Sequence, residues 1–220
     1  MTTRQPIESA VATGRGDDGS TGLLFGGERI VKDDARTEAY GTIDEAVAAL
    51  GLARAELGVK NEFGVLAPTF GDLADVILRL QRELFVAAAE LATNPDAWGR
   101  LEDGRTRVSQ DMVDGLDELL GQAERRVEMP REFVVPGETR TSAALELART
   151  IVRRAERRAV SLDRQRLIPG PHLLPYLNRL ADLLWVLARA AEQAEARTAT
   201  PSRTTRRRTR AEAPDRSATS

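Results

Sequence analysis

Apolar residues recur at three- and four-residue intervals in five stretches of the chain, the spacing that lines one face of an α-helix. The first stretch runs from Arg36 to about Leu57 on Tyr40, Ile43, Val47, Leu50 and Ala53. The second runs from about Phe70 to Leu91 through "DLADVILRLQRELFVAAAELA" and stops at "NPDAW". The third opens on Ser109, a residue type that caps helix N-termini, and continues through Met112, Val113, Leu116, Leu119 and Leu120 to about Arg126. In "EMPREFVVPGETR" two prolines and a glycine interrupt the helical pattern, and the fourth helix then spans about Thr141 to Leu162. After "RLIPGP" the fifth runs from about Leu173 to Ala196. Strand signals are almost missing apart from "EFVV", so the pattern predicts an all-α five-helix bundle.

The two ends do not follow this pattern. Met1 to about Val31 is rich in Gly, Ser, Thr and Asp and has no sustained helical period, which predicts a loop region. From Arg197 onward there is almost no large apolar side chain to offset the entropy of ordering, and a disordered tail is expected. The chain thus divides into an N-terminal loop region (1–31), a helical bundle (32–196) and an Arg-rich tail (197–220).

Composition narrows the chemistry. A length of 220 residues suits one domain with tails. Cysteine is absent, which excludes disulfides, thiolate metal sites and a cysteine nucleophile. With His172 the only histidine, a His-rich metal site is excluded as well. No basic-then-apolar leader and no stretch near the roughly 18 apolar residues needed to span a bilayer is present, so a soluble cytoplasmic protein is expected. The net charge of -2 conceals +5 from Arg197 onward and -7 elsewhere. Attraction to nucleic acid would have to come from the tail, and such binding is not expected to be the main function.

The most charged helical stretch is "ARTIVRRAERRAV", with Arg149, Arg153, Arg154, Arg157 and Arg158. At about 100° per residue, Arg149, Arg153 and Glu156 share an arc of roughly 60° with Arg157 beside them, next to the apolar arc of Leu145, Ala148, Val152, Ala155 and Ala159. A purely solvated stripe would lie opposite that arc. In helix five, Asn178, Asp182, Trp185 and Arg189 form a second polar face. Two readings stand: Glu156 and Asp182 neutralise nearby arginines across a helix interface, or the arginines bind phosphate, whose oxygens match the guanidinium fork. The glycines of "TGRGDDGSTG" permit close backbone approach to an anion, with Thr13, Ser20 and Thr21 adding hydroxyls, while a flexible loop is the plainer reading. The spacing is neither a P-loop nor a dinucleotide fingerprint.

Read together, "GDDGSTG", "GGERIVKDD", "EAYGTIDE", "LQRELFVAAAELA", "FVVPG", "ARTIVRRAERR" and "LPYLNRLADLLWVLAR" resemble the PduO-type ATP:cob(I)alamin adenosyltransferases, over about Thr13 to Arg189. The resemblance implies a ferritin-like five-helix bundle with a glycine-rich N-terminal ATP loop, assembled as a homotrimer with interfacial active sites. It implies transfer of the 5′-deoxyadenosyl group of ATP to the cobalt of cob(I)alamin, with Mg²⁺ assisting ATP. A reductase and an adenosylcobalamin-dependent enzyme are the implied protein partners.

Carried over residue by residue, the resemblance assigns ATP to Thr13, Gly14, Arg15, Gly16, Asp17, Gly19, Thr21, Gly22 and Lys32, together with Arg153, Arg154, Glu156, Arg157 and Asn178. Arg149 matches the family arginine that pairs across the interface with Asp44. Phe133 matches the aromatic that sits against the lower corrin face and excludes the axial base. Catalytic roles thereby fall to Arg153, Asp44, Arg149 and Phe133, cobalamin contact to Phe133, Asp44 and Arg149, and no residue is assigned as a metal ligand. Three departures stand out: "TGRGD" replaces T-[RK]-T-G-D, "PGETR" replaces a glycine-rich "PGG", and Trp185 stands where Phe is usual. The loop change leaves one alternative, a non-catalytic corrinoid-binding or delivery protein.

Overall fold

The computed structural model describes residues 11–59 and 73–203. Five α-helices carry it: α1 (Ala35–Val59), α2 (Leu73–Ala92), α3 (Gln110–Glu124), α4 (Arg140–Asp163) and α5 (Leu173–Ala194). The all-α expectation is met, and helix ends that can be compared agree to within two residues. The expected start of α2 at Phe70, residues 1–10 and the tail beyond Arg203 lie outside the described residues. None of the described helices is long and apolar enough to cross a membrane.

Helix α1 packs against α2 and α4, α4 packs against α5, and α5 against α3. The buried face of α1 is Ala39, Ile43, Ala46, Leu50 and Ala53, while Tyr40 and Val47, expected on that face, are only half-buried. Small alanines let two neighbouring helices approach closely, which shifts the seam by one residue from the larger side chains. Helix α5 buries Leu173, Tyr176, Leu177, Leu180, Leu183, Leu184, Leu187 and Ala191 around much of its circumference, as a central helix must. Its Tyr176 hydroxyl donates to Glu83 of α2 at 3.0 Å.

Local chemistry sets the helix starts. Ser109 accepts from the Met112 amide and caps α3. Thr139 and Ser142 exchange hydrogen bonds of 3.0 and 3.2 Å in a capping box at α4. Such caps contribute about 1 kcal/mol each.

Two short antiparallel pairs depart from the expected loops and tail. Strands β1 (Ser20–Thr21) and β2 (Ile30–Val31) pair with Ser20 opposite Val31. Strand β3 (Val134–Val135), within "EFVV", pairs with β4 (Thr200–Pro201). The tail was expected to be disordered from Arg197, yet its first residues are structured. A lone β3 would leave backbone groups unpaired, and β4 answers them through main-chain bonds, which a count of apolar residues does not register.

Candidate functional site

The loop from Thr13 to Lys32 is a run of turns closed by β1 and β2. The carbonyls of Gly14 and Gly16 accept from the amides of Asp17 and Gly19, each at 3.2 Å. Gly19 turns through a φ of +80°, in the left-handed region that glycine adopts freely. The Lys32 amide donates to the Gly19 carbonyl at 2.9 Å, and its Nζ donates to the Gly16 carbonyl at 2.8 Å. Arg29 binds from the other side: Nε donates to Ser20 Oγ at 2.8 Å, and Nη2 donates to the carbonyls of Arg15 (2.7 Å) and Ser20 (2.9 Å). The Ser20 amide, then its hydroxyl, donate to Asp18 and hold that carboxyl below its ordinary pKa.

Sequence reasoning passed over Arg29 and the anchors of this loop. Leu24 donates its amide to Ala92 at the end of α2 (2.8 Å), and Asn94 returns its own amide to the Leu24 carbonyl. Asn94 Nδ2 donates to Gly26 at 2.9 Å. Buried Arg36 donates to the Thr93 carbonyl at 3.1 Å, and its burial lowers its pKa. The loop is therefore fixed to the start of α1 and the end of α2 while Thr13, Gly14, Arg15, Asp17, Gly19, Gly22 and Lys32 stay exposed and Gly16 and Thr21 half-exposed. An exposed glycine-rich turn carrying Arg15, Arg29 and Lys32 is suited to a polyphosphate.

The arginines of α4 separate into two sets. Arg154 pairs with Glu45 and Arg158 with Glu38 (2.8 Å), joining antiparallel α4 and α1 through solvent-accessible ion pairs. Arg157 donates to the Arg153 carbonyl at 2.9 Å. The Arg153 guanidinium is exposed and has no partner among the described residues. Glu156 is half-exposed, and Asn178 is exposed on α5. Glu156 and Asp182 therefore do not neutralise these arginines within one chain. Asp44 is exposed on α1, and among the described residues no bond joins it to Arg149, whose Nε donates to Glu146 at 2.6 Å.

Glu146 belongs to a buried charge network that periodicity did not expose. Its other oxygen accepts from Arg189 Nη1 at 3.1 Å, while Arg189 Nε and Nη2 each donate at 2.8 Å to Glu192. Arg189 is 1% exposed and its guanidinium lies 5.5 Å from the Trp185 ring centre. The available signal was the i,i+3 spacing of Glu146 with Arg149 and of Arg189 with Glu192. Beside this network, a cleft of about 460 Å³ is lined by Pro130, Arg131, Glu132, Phe133, Trp185, Ser202 and Arg203. Phe133 is 87% exposed, so its ring is open to a ligand entering the cleft.

A family profile described as cobalamin adenosyltransferase matches residues 11–191, spanning loop, bundle and Phe133 segment. The chain belongs to the cobalamin adenosyltransferase family. Among relatives in this family, the corrinoid adenosyltransferase of Citrobacter freundii is 36% identical over 182 residues, covering 83% of this chain and 94% of that one. The corrinoid adenosyltransferase of Mycobacterium tuberculosis H37Rv is 38% identical over 188 residues, covering 82% and 88%. A phenylalanine-to-alanine variant of the PduO-type ATP:corrinoid adenosyltransferase from Lactobacillus reuteri, solved with cobalamin and ATP, superposes with a TM-score of 0.72. It is 29% identical and covers 87% of this chain and 98% of that one.

Proposed function

We propose that the chain transfers the 5′-deoxyadenosyl group of ATP to the cobalt of cob(I)alamin, giving adenosylcobalamin and triphosphate. The observation that carries this reading is the Thr13–Lys32 loop, folded into an exposed glycine-rich turn with Lys32 across it, in a chain whose structural relative was solved with cobalamin and ATP. The displaced basic residue of "TGRGD" does not unmake the turn: Arg15 contributes its carbonyl to Arg29, and Gly14 and Gly16 hold their bonds. That favours an enzyme over a corrinoid carrier with a drifted loop.

In this reading Thr13, Gly14, Arg15, Gly16, Asp17, Gly19, Thr21, Gly22 and Lys32 receive the nucleotide. Lys32 exchanges its bond to Gly16 for phosphate oxygens, and Arg153, with Arg154, Glu156, Arg157 and Asn178, completes the site. Because loop and α4 are held by different partners in one chain, a site shared between subunits of a homotrimer suits them, with Asp44 and Arg149 meeting at the interface. Phe133 covers the lower corrin face and excludes water and the axial base. A reductase would supply reduced cobalamin and an adenosylcobalamin-dependent enzyme would take the product; a cytoplasmic setting fits both.

The Co(I) electron pair forms the bond to C5′ of the ribose as the C5′–O bond breaks, and triphosphate leaves with the bonding electrons. The cofactor-derived nucleophile needs no general base, so the protein's work is alignment and charge stabilisation. Among the described residues no cluster of three His, Asp or Glu stands ready to hold a metal ion. Mg²⁺ accompanying ATP would take oxygen ligands chiefly from phosphates and water, and would neutralise part of the leaving charge.

The test is anaerobic incubation with ATP, Mg²⁺ and chemically reduced cob(I)alamin. Adenosylcobalamin should accumulate; its absence, while a known adenosyltransferase turns over in parallel, contradicts the enzyme reading.

A further inference from the structure

The segment that carries Phe133 leaves α3 and returns at α4, and each end is anchored. At its start Gln193 of α5 donates to the Glu128 carbonyl at 2.7 Å and accepts from the Glu128 amide at 3.0 Å. At its end Thr139 is locked in the α4 capping box. The middle is held from the chain's C-terminal side. Val134 lies opposite Pro201 and Val135 opposite Thr200, the Ser202 amide donates to the Phe133 carbonyl at 2.7 Å, and the Thr200 hydroxyl donates to Glu138.

We propose that Thr200–Arg203 is a positioning brace for corrinoid: it fixes the Phe133 backbone and completes the wall of the cleft facing Trp185. Ser202 and Arg203 line that cleft together with Phe133, Trp185 and Arg131. Two aromatic rings offer an apolar wall to a flat macrocycle, and the guanidinium groups of Arg131 and Arg203 are donors for the amide carbonyls on its rim. The brace lies outside the span matched by the family profile, which ends at residue 191. The inference rests on the corrinoid reading of Phe133.

Three variants of the full chain test it: truncation after Arg203, which keeps β4; truncation after Ala199, which removes it but keeps the Arg197 amide bonded to the Glu192 carbonyl at the end of α5; and Ser202→Pro, which deletes one donor. KM for cob(I)alamin and for ATP is measured, with the absorption spectrum of four-coordinate cob(II)alamin in the presence of ATP. Truncation after Ala199 should raise the corrinoid KM at least tenfold and diminish the four-coordinate signal, with the ATP KM within about twofold. Ser202→Pro should shift the same quantities in the same direction, and truncation after Arg203 should shift neither. Unchanged corrinoid parameters after truncation at Ala199 overturn the brace, as does a loss reproduced by truncation after Arg203 or absent in Ser202→Pro. Phe133→Ala separates the two levels: if it too leaves corrinoid binding and spectrum unchanged, the reading of Phe133 fails; if it alone alters them, only the brace fails.

Discussion

Lys32 reaches back across the N-terminal loop and donates from Nζ to the carbonyl of Gly16, 2.8 Å away. A cation parked on a backbone oxygen keeps its charge available and can exchange that neutral acceptor for a phosphate. Lys32→Ala should therefore raise the ATP KM by about 10- to 100-fold, the worth of one charge-assisted hydrogen bond, with little change in corrinoid KM. A methyl at Gly16 would stand 2.8 Å from the same Nζ and displace it. Gly16→Ala should show a smaller defect in the same parameter, read from steady-state kinetics on both substrates.

Arg153 and Arg154 are neighbours with different surroundings. Arg153 is exposed and its guanidinium has no partner among the described residues, whereas the charge of Arg154 is already answered by Glu45. Arg153→Ala should reduce kcat/KM for ATP by more than tenfold and leave the melting temperature unchanged. Arg154→Ala should have the milder kinetic effect and cost at most about 1 kcal/mol of stability, as expected of an exposed ion pair. Equal kinetic losses in the two variants would count against this division.

Arg189 joins two buried carboxylates, Glu146 and Glu192. Truncating it leaves both without their shared partner, so Arg189→Ala should destabilise by about 3–5 kcal/mol. Denaturant unfolding measures this directly. Since Glu146 also accepts from Arg149, the same variant should loosen Arg149, and double substitution with Glu146→Gln should be less than additive.

Burial pushes the pKa of Glu90, 1% exposed, up to about 7, against opposing hydrogen bonds and Arg107. One oxygen accepts from the Val108 amide at 2.8 Å, and the other presses against Gly170, where a Cβ would stand 2.7 Å away. A carboxyl protonated in the fold yet ionised when unfolded contributes stability at low pH that declines as pH rises from about 4.5 to about 7. The full difference is on the order of 3 kcal/mol. Glu90→Gln should therefore gain stability over the native chain at pH 8 and show little difference at pH 4.5, measured by unfolding across that range.

Sequence periodicity located the bundle because each helix has a long apolar face, and Ser109 announced its own cap. It misplaced the α1 seam because Ala39 and Ala46 carry weak hydropathy signals yet pack closest. Main-chain pairing hid β4, since hydrogen bonds from Thr200, Pro201 and Ser202 depend on position and not on side-chain character. The loop residues and Phe133 were named from their motifs, and their ligand roles belong to the proposal. Arg29 was passed over because its acceptors are a hydroxyl and main-chain carbonyls of the turn, and Arg189 was placed on a polar face without Glu146, its partner on another helix. The pairing of Asp44 with Arg149 is part of the proposal.

The central claim is that ATP is cleaved at C5′ and its adenosyl carbon joined to cobalt. The most direct measurement is a single anaerobic turnover of the full chain with cob(I)alamin and ATP labelled separately in the adenosine and the terminal phosphate. The account predicts adenosine label in the corrinoid in equal amount to intact labelled triphosphate released. Label released as free phosphate with ADP, and none in the corrinoid, would contradict it.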